Sequence, residues 1–97
     1  YLVTSDEIKD IQNLNLSLDI NGKRRQTGNT NQMIFNFNYL VSHISNFITL
    51  MPGDIVTTGT PSGVGLGMNP PTFLKNGDEM ILNIDNLGKQ TSKVILE

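Results

Sequence analysis

Gly53-Asp-Ile-Val-Thr-Thr-Gly-Thr-Pro-Ser-Gly-Val-Gly65 opens as a strand and closes as a glycine-rich turn with almost no charge. Pro52-Gly53 turns the chain into an expected strand at Asp54 to Thr58, and the following Gly and Pro residues end it. Such a run exposes backbone N–H groups and short hydroxyls to whatever lies beside it. It is a candidate wall for a small anionic or carbonyl-bearing ligand. Thr60 stands between Gly59, which permits close approach, and Pro61, which fixes the turn. A hydroxyl beside exposed N–H groups suits a carboxylate. On these residues alone a tight structural turn is the simpler reading.

Upstream, Leu14, Leu16, Leu18 and Ile20 alternate with polar residues, a period-two strand with one apolar face. Asn21-Gly22 is a strong hairpin signal, because a type I′ turn needs positive φ at both central positions. A return strand from Lys23 to Thr27 is expected. Met33, Phe37, Leu40, Ile44 and Phe47 recur at helical spacing. Thr30 or Asn31 is the expected cap. Phe35 and Tyr39 fall opposite that stripe, so the helix has a second apolar side for a partner chain or for further chain. Downstream, Asn76-Gly77 leads into a strand from Asp78 to Asp85, and Thr91 to Leu96 reads as the last strand. Gly65 to Thr72 is a loop. The sum is five or six strands and one main helix, an α+β class that is mostly β.

At 97 residues the chain is one small domain or a piece of a larger one. Its opening Tyr1-Leu-Val-Thr reads as the interior of something longer. The net charge is −2, and the one basic run, Lys23-Arg24-Arg25, sits beside a hairpin turn without interleaved aromatics. Nucleic-acid binding is therefore not expected. No apolar run is long enough to span a membrane as a helix. There are no cysteines, which leaves no disulfide framework or thiolate metal site and fits a cytoplasmic protein.

The familiar catalytic constellations fail one by one. Gly63-Val-Gly65-Leu-Gly67 has the wrong spacing for a dinucleotide loop, and no helix pattern follows it. His43 is the sole histidine, on a helix flank with no carboxylate within a turn, and reads as structural. Asp78 and Glu79 point to opposite faces of a strand and cannot share an ion. Asp6, Glu7 and Asp10 read as a solvated surface. Asp54 follows a glycine turn and is expected to satisfy local N–H groups.

Several stretches together resemble the C-terminal part of the fumarylacetoacetate hydrolase family's catalytic domain. They are Val3-Thr4 with Glu7-Ile8, Leu14 to Leu18 with Asn21-Gly22, and Arg25-Gln26 with Asn29-Thr30 and Met33-Ile34. Leu50, Pro52-Gly53-Asp54-Ile55 and Thr58-Gly59-Thr60-Pro61-Ser62-Gly63-Val64-Gly65 follow, then Pro70-Pro71 with Phe73-Leu74-Lys75 and Gly77-Asp78. The resemblance covers essentially the whole chain. It implies a mixed β-sandwich roll, of which residues 1–97 would be the C-terminal half. It also implies metal-dependent chemistry on acylpyruvates or related 2-oxo acids, with a divalent cation polarising the carbonyl and stabilising an enolate. That cation would be Mg2+, with Mn2+ or Ca2+ as alternatives. Thr60, with Gly59, would hold the substrate carboxylate.

The family's metal ligands are a Glu-x-Glu pair and a later Asp. They, its catalytic lysine and its lid histidine all lie upstream of the region seen here. No catalytic or metal-ligating residue is therefore assigned within this chain, and the piece alone is expected to be inactive. Gly67-Met-Asn-Pro-Pro71 lacks the acid seen in true fumarylacetoacetate hydrolases, which favours the acylpyruvate hydrolase or isomerase type. The resemblance further implies a small keto-acid substrate and a homodimer. The alternatives are a non-catalytic binding or structural module on the same roll, or a decarboxylase of the oxaloacetate type.

Overall fold

Alternating Leu and polar residues build a strand, and the turns fix its neighbours. The computed structural model describes residues 2–96. Strand β1 (Asn15–Ile20) pairs antiparallel with β2 (Lys23–Asn29) through the Asn21-Gly22 turn. Both turn residues have positive φ, 51° and 73°, as the type I′ turn requires. Helix α1 (Phe37–Ser45) follows, then β3 (Glu79–Ile84) and β4 (Gly88–Lys93). The sheet order is β2-β1-β3-β4, and every pairing is antiparallel.

Register puts the apolar set on one face. Leu16 stands opposite Ile84, Leu18 opposite Leu82, and Ile20 opposite Met80. On the neighbouring strand Gly28 and Gln26 face Leu16 and Leu18. A bulge then falls between Leu18 and Asp19: Gln26 pairs with Leu18 and Arg24 with Asp19, leaving Arg25 as the extra residue.

Four expected elements differ. Asp54–Thr58 is not a strand: it has the side chains for one, but nothing among the described residues pairs with it. Among the described residues the paired strands therefore number four and not five or six. The last strand is Gly88–Lys93 instead of Thr91–Leu96, because Asn86 and Gly88 (φ 61° and 79°) reverse the chain tightly enough for pairing to start at once. Helix α1 is shorter than its stripe, and Asn36 caps it by accepting from the Tyr39 N–H at 2.8 Å. Thr30 and Asn31 instead belong to a 3-10 turn, Thr30–Gln32, capped by Asn29.

Thr30 does other work. It is buried, and its hydroxyl accepts from Leu14 N and donates to the Ile11 carbonyl, both at 2.8 Å. Gln12 bridges from this knot to the helix, accepting from Phe37 N and donating to the Thr30 carbonyl. Leu14 is the one buried hydrophobic residue among those described. The solvent-accessible surface is 7844 Å², whereas a compact protein of this mass exposes roughly 5,500 Å². No helix among the described residues is long and apolar enough to cross a membrane.

The junction of the hairpin with β3 carries a pH signature. Asn21 Nδ2 donates to Asp78 Oδ1, and Lys75 N donates to Asp78 Oδ2, each at 2.8 Å. Chiefly through Asn21 and then Lys75, these bonds hold the Asp78 carboxyl below its ordinary value. A depressed folded pKa stabilises above the unfolded value, near pH 4, and that stabilisation is lost as pH falls through the lowered folded pKa. Asp78→Asn is therefore expected to shrink the loss of stability between about pH 4 and pH 2. Thermal melts across that range check it, and parallel curves for wild type and variant would remove Asp78 as a source.

Candidate functional site

The run singled out in the sequence lies across the apolar face of the sheet beside β2. It starts at a turn in which Gly53 has φ +100°. As expected, Asp54 satisfies a local donor there, its Oδ2 accepting from Met51 N at 2.7 Å. Residues 55–58 then run without a strand partner, and the backbone N–H groups of Ile55 to Thr60 meet no acceptor among the described residues. Unpaired donors at this density mark a segment that must bind something else: solvent, further chain or ligand.

Beyond Thr58 the loop is pinned closely to β2. Gln26 Nε2 donates to Thr60 Oγ1 at 2.8 Å and to the Pro61 carbonyl at 2.7 Å. Pro61 sits on Gly28, where a Cβ would come within 3.0 Å of the proline ring. Gly63 has φ +105°, and a Cβ there would lie 2.1 Å from the Arg25 carbonyl oxygen. Gly59 differs: its φ is +85°, but a Cβ would meet nothing within 4 Å. Its side towards the groove is open, which leaves room for a ligand to approach the main chain.

That groove has a volume of about 780 Å³. Thr58, Gly59 and Thr60 line it together with Met33, Phe35, Phe37, Leu40 and Leu16. The polar wall offers neutral donors and no acid. Such a wall can hold a carboxylate by hydrogen bonds at a carbon-rich surface.

The structure thus brings the two expected substrate contacts, Thr60 and Gly59, to one exposed edge of the groove. His43 does not line the groove; its ring stacks on Tyr39 and lies tilted against Phe47, with centroids 5.8 and 5.1 Å away. Among the described residues no group of three or more His, Cys, Asp or Glu could hold a metal ion. The partner of Thr60 is the residue that reading by motif missed. No local pattern marks it, because Gln26 comes opposite Leu18 only through the bulge at Arg25.

The family model described as "Fumarylacetoacetate (FAA) hydrolase C-terminal" matches residues 1–95. A 2,4-didehydro-3-deoxy-L-rhamnonate hydrolase of a Sphingomonas species is 53% identical over 95 residues, 97% of this chain and 33% of that protein. The solved fumarylacetoacetate hydrolase of Exiguobacterium antarcticum superposes with a TM-score of 0.93 at 35% identity, covering 98% of this chain and 34% of that one. Maleylpyruvate hydrolase of Sphingobium sp. SYK-6, solved with manganese(II) and pyruvate, gives a TM-score of 0.86 at 33% identity, over 97% and 33%. The chain spans about a third of the length of the curated relatives it matches.

Proposed function

The chain belongs to the fumarylacetoacetate hydrolase family, and from that premise we propose that it forms the carboxylate-binding wall of a hydrolase acting on acylpyruvates or related 2-oxo acids. The carrying observation is the donor wall itself: the Thr60 hydroxyl and the unpaired N–H groups of Gly59 and Thr60 edge an apolar groove. A 2-oxo acid has a carboxylate next to its reacting carbonyl. Holding that carboxylate fixes the carbonyl's direction, and fixed orientation lowers the barrier. Thr60 is thus a substrate contact and not the group that breaks the C–C bond.

The proposal includes a divalent cation, Mg2+ or Mn2+, held by residues outside this chain. Manganese beside pyruvate in the related maleylpyruvate hydrolase supports it. A cytoplasmic homodimer belongs to the same reading, with Tyr39 of α1 at the contact together with Phe35, which precedes the helix and also lines the groove. So does the choice of hydrolysis over isomerisation or decarboxylation.

The alternative is a non-catalytic binding or structural module on the same roll. A metal titration separates the two. Full-length protein stripped with a chelator is expected to regain acylpyruvate cleavage, by at least ~100-fold, on adding Mg2+ or Mn2+. No turnover of any 2-oxo acid with either metal would favour the module.

A further inference from the structure

We propose that Gln26 is the positioning residue of the carboxylate clamp, turning the Thr60 hydroxyl so that its proton is presented to the groove. The inference rests on reading Thr60 as a substrate contact.

A primary amide has two protons to give. Gln26 gives one to Thr60 Oγ1 at 2.8 Å and the other to the Pro61 carbonyl at 2.7 Å. The threonine oxygen accepts, so its own proton is not spent on Gln26. Orientations in which the O–H points back at the amide are blocked by the amide's own hydrogen. The proton is left to point away from β2, where a carboxylate oxygen would receive it.

The amide is itself held in one sense. Reversed, its oxygen would face the Pro61 carbonyl oxygen, two acceptors with no proton between them. The position of Gln26 comes from the sheet. Register sets it opposite Leu18 on the face that carries the loop, and Gly28, two residues on, receives Pro61 on that same face. Strand register thus fixes the amide, the amide fixes the hydroxyl, and the hydroxyl fixes the substrate. Gln26 itself lies behind Thr60 and is not a catalytic residue.

The full-length enzyme provides the test, with two variants of similar length. Gln26→Met keeps the volume and donates nothing. Gln26→Glu accepts where Gln26 donates, so it draws the Thr60 proton towards β2. The readouts are KM and kcat for an acylpyruvate, and the inhibition constant of pyruvate as a small carboxylate probe. Gln26→Met is expected to raise KM and the pyruvate constant about 5- to 10-fold, with kcat within about 2-fold. Gln26→Glu is expected to raise both further. Combined with Thr60→Val, Gln26→Met should add nothing, because no hydroxyl is left to position.

A loss of folded protein alone would reduce the active fraction, and hence kcat, without moving KM or the pyruvate constant. If Gln26→Met does not fold, Gln26→Glu carries the comparison. Wild-type KM and pyruvate binding in the Gln26 variants, while Thr60→Val weakens both, would overturn the inference and leave the clamp standing. So would losses that simply add in the double variant. If Thr60→Val itself changes nothing, the clamp fails and the role of Gln26 fails with it.

Discussion

Gly63→Ala is expected to cut kcat/KM of the full-length enzyme by at least ~100-fold, while Gly59→Ala is far milder. Both positions have positive φ, +105° and +85°, which costs a residue with a Cβ about 1–2 kcal/mol. Only at Gly63 does the added methyl strike the backbone. It would lie 2.1 Å from the Arg25 carbonyl oxygen, far inside contact distance, so β2 or the loop must move. The two effects together cost roughly 3 kcal/mol or more. Displacing the loop also separates Thr60 from Gln26, three residues back from the clash. A fall of at least ~100-fold in kcat/KM is expected for Gly63→Ala, with a lowered melting temperature. Gly59→Ala should lose stability by the conformational term alone. Kinetics and thermal melts of both variants check the contrast, and equal behaviour of the two would show that the loop is not held by β2.

The 97-residue chain on its own is expected to show no cooperative unfolding transition and to bind a hydrophobic dye strongly. Its surface, 7844 Å², exceeds by more than 2,000 Å² what a compact protein of its mass should expose, roughly 5,500 Å². One hydrophobic residue is buried among those described, while Ile34 is 93% and Phe47 75% exposed. Helix α1 has nine residues and buries none of them, and a free helix of that length is marginal in water. Phe35, Tyr39, His43 and Phe47 form a row of ring contacts running from just before α1 to just past its end, with the Phe35 and Tyr39 rings 4.9 Å apart. Aromatic pairs of this kind add only about 0.5–1.5 kcal/mol each. A sharp, reversible melt of the monomer without dye binding would contradict this expectation.

What could be read from the sequence followed the range of the interaction. The Asn21-Gly22 hairpin and the β1 alternation are local, and both were legible. Of the expected stripe, Met33, Phe37, Leu40 and Ile44 are half-buried, but Phe47 is exposed and lies against His43 on the other side, and the cap fell at Asn36, because Asn29 closed a separate turn first. Asp54 to Thr58 has strand chemistry, but a strand is a pairing, and its partner is not among the described residues. The site divided in the same way. Thr60 and Gly59 stood out because Gly, Thr and Pro crowd together in sequence. Gln26 did not, because its bond to Thr60 spans 34 positions and depends on the register of β2. The bulge at Arg25 is likewise invisible without the strand beside it.

The central claim is that Thr60 holds the carboxylate of a 2-oxo acid, and pyruvate binding to the metal-loaded full-length enzyme tests it most directly. Thr60→Val keeps the shape and removes the hydroxyl. A hydrogen bond to a charged group contributes about 1.5–3 kcal/mol, so the dissociation constant for pyruvate should rise roughly 10- to 100-fold. KM for an acylpyruvate should rise with it. Wild-type affinity in a folded, metal-loaded Thr60→Val enzyme would contradict the account.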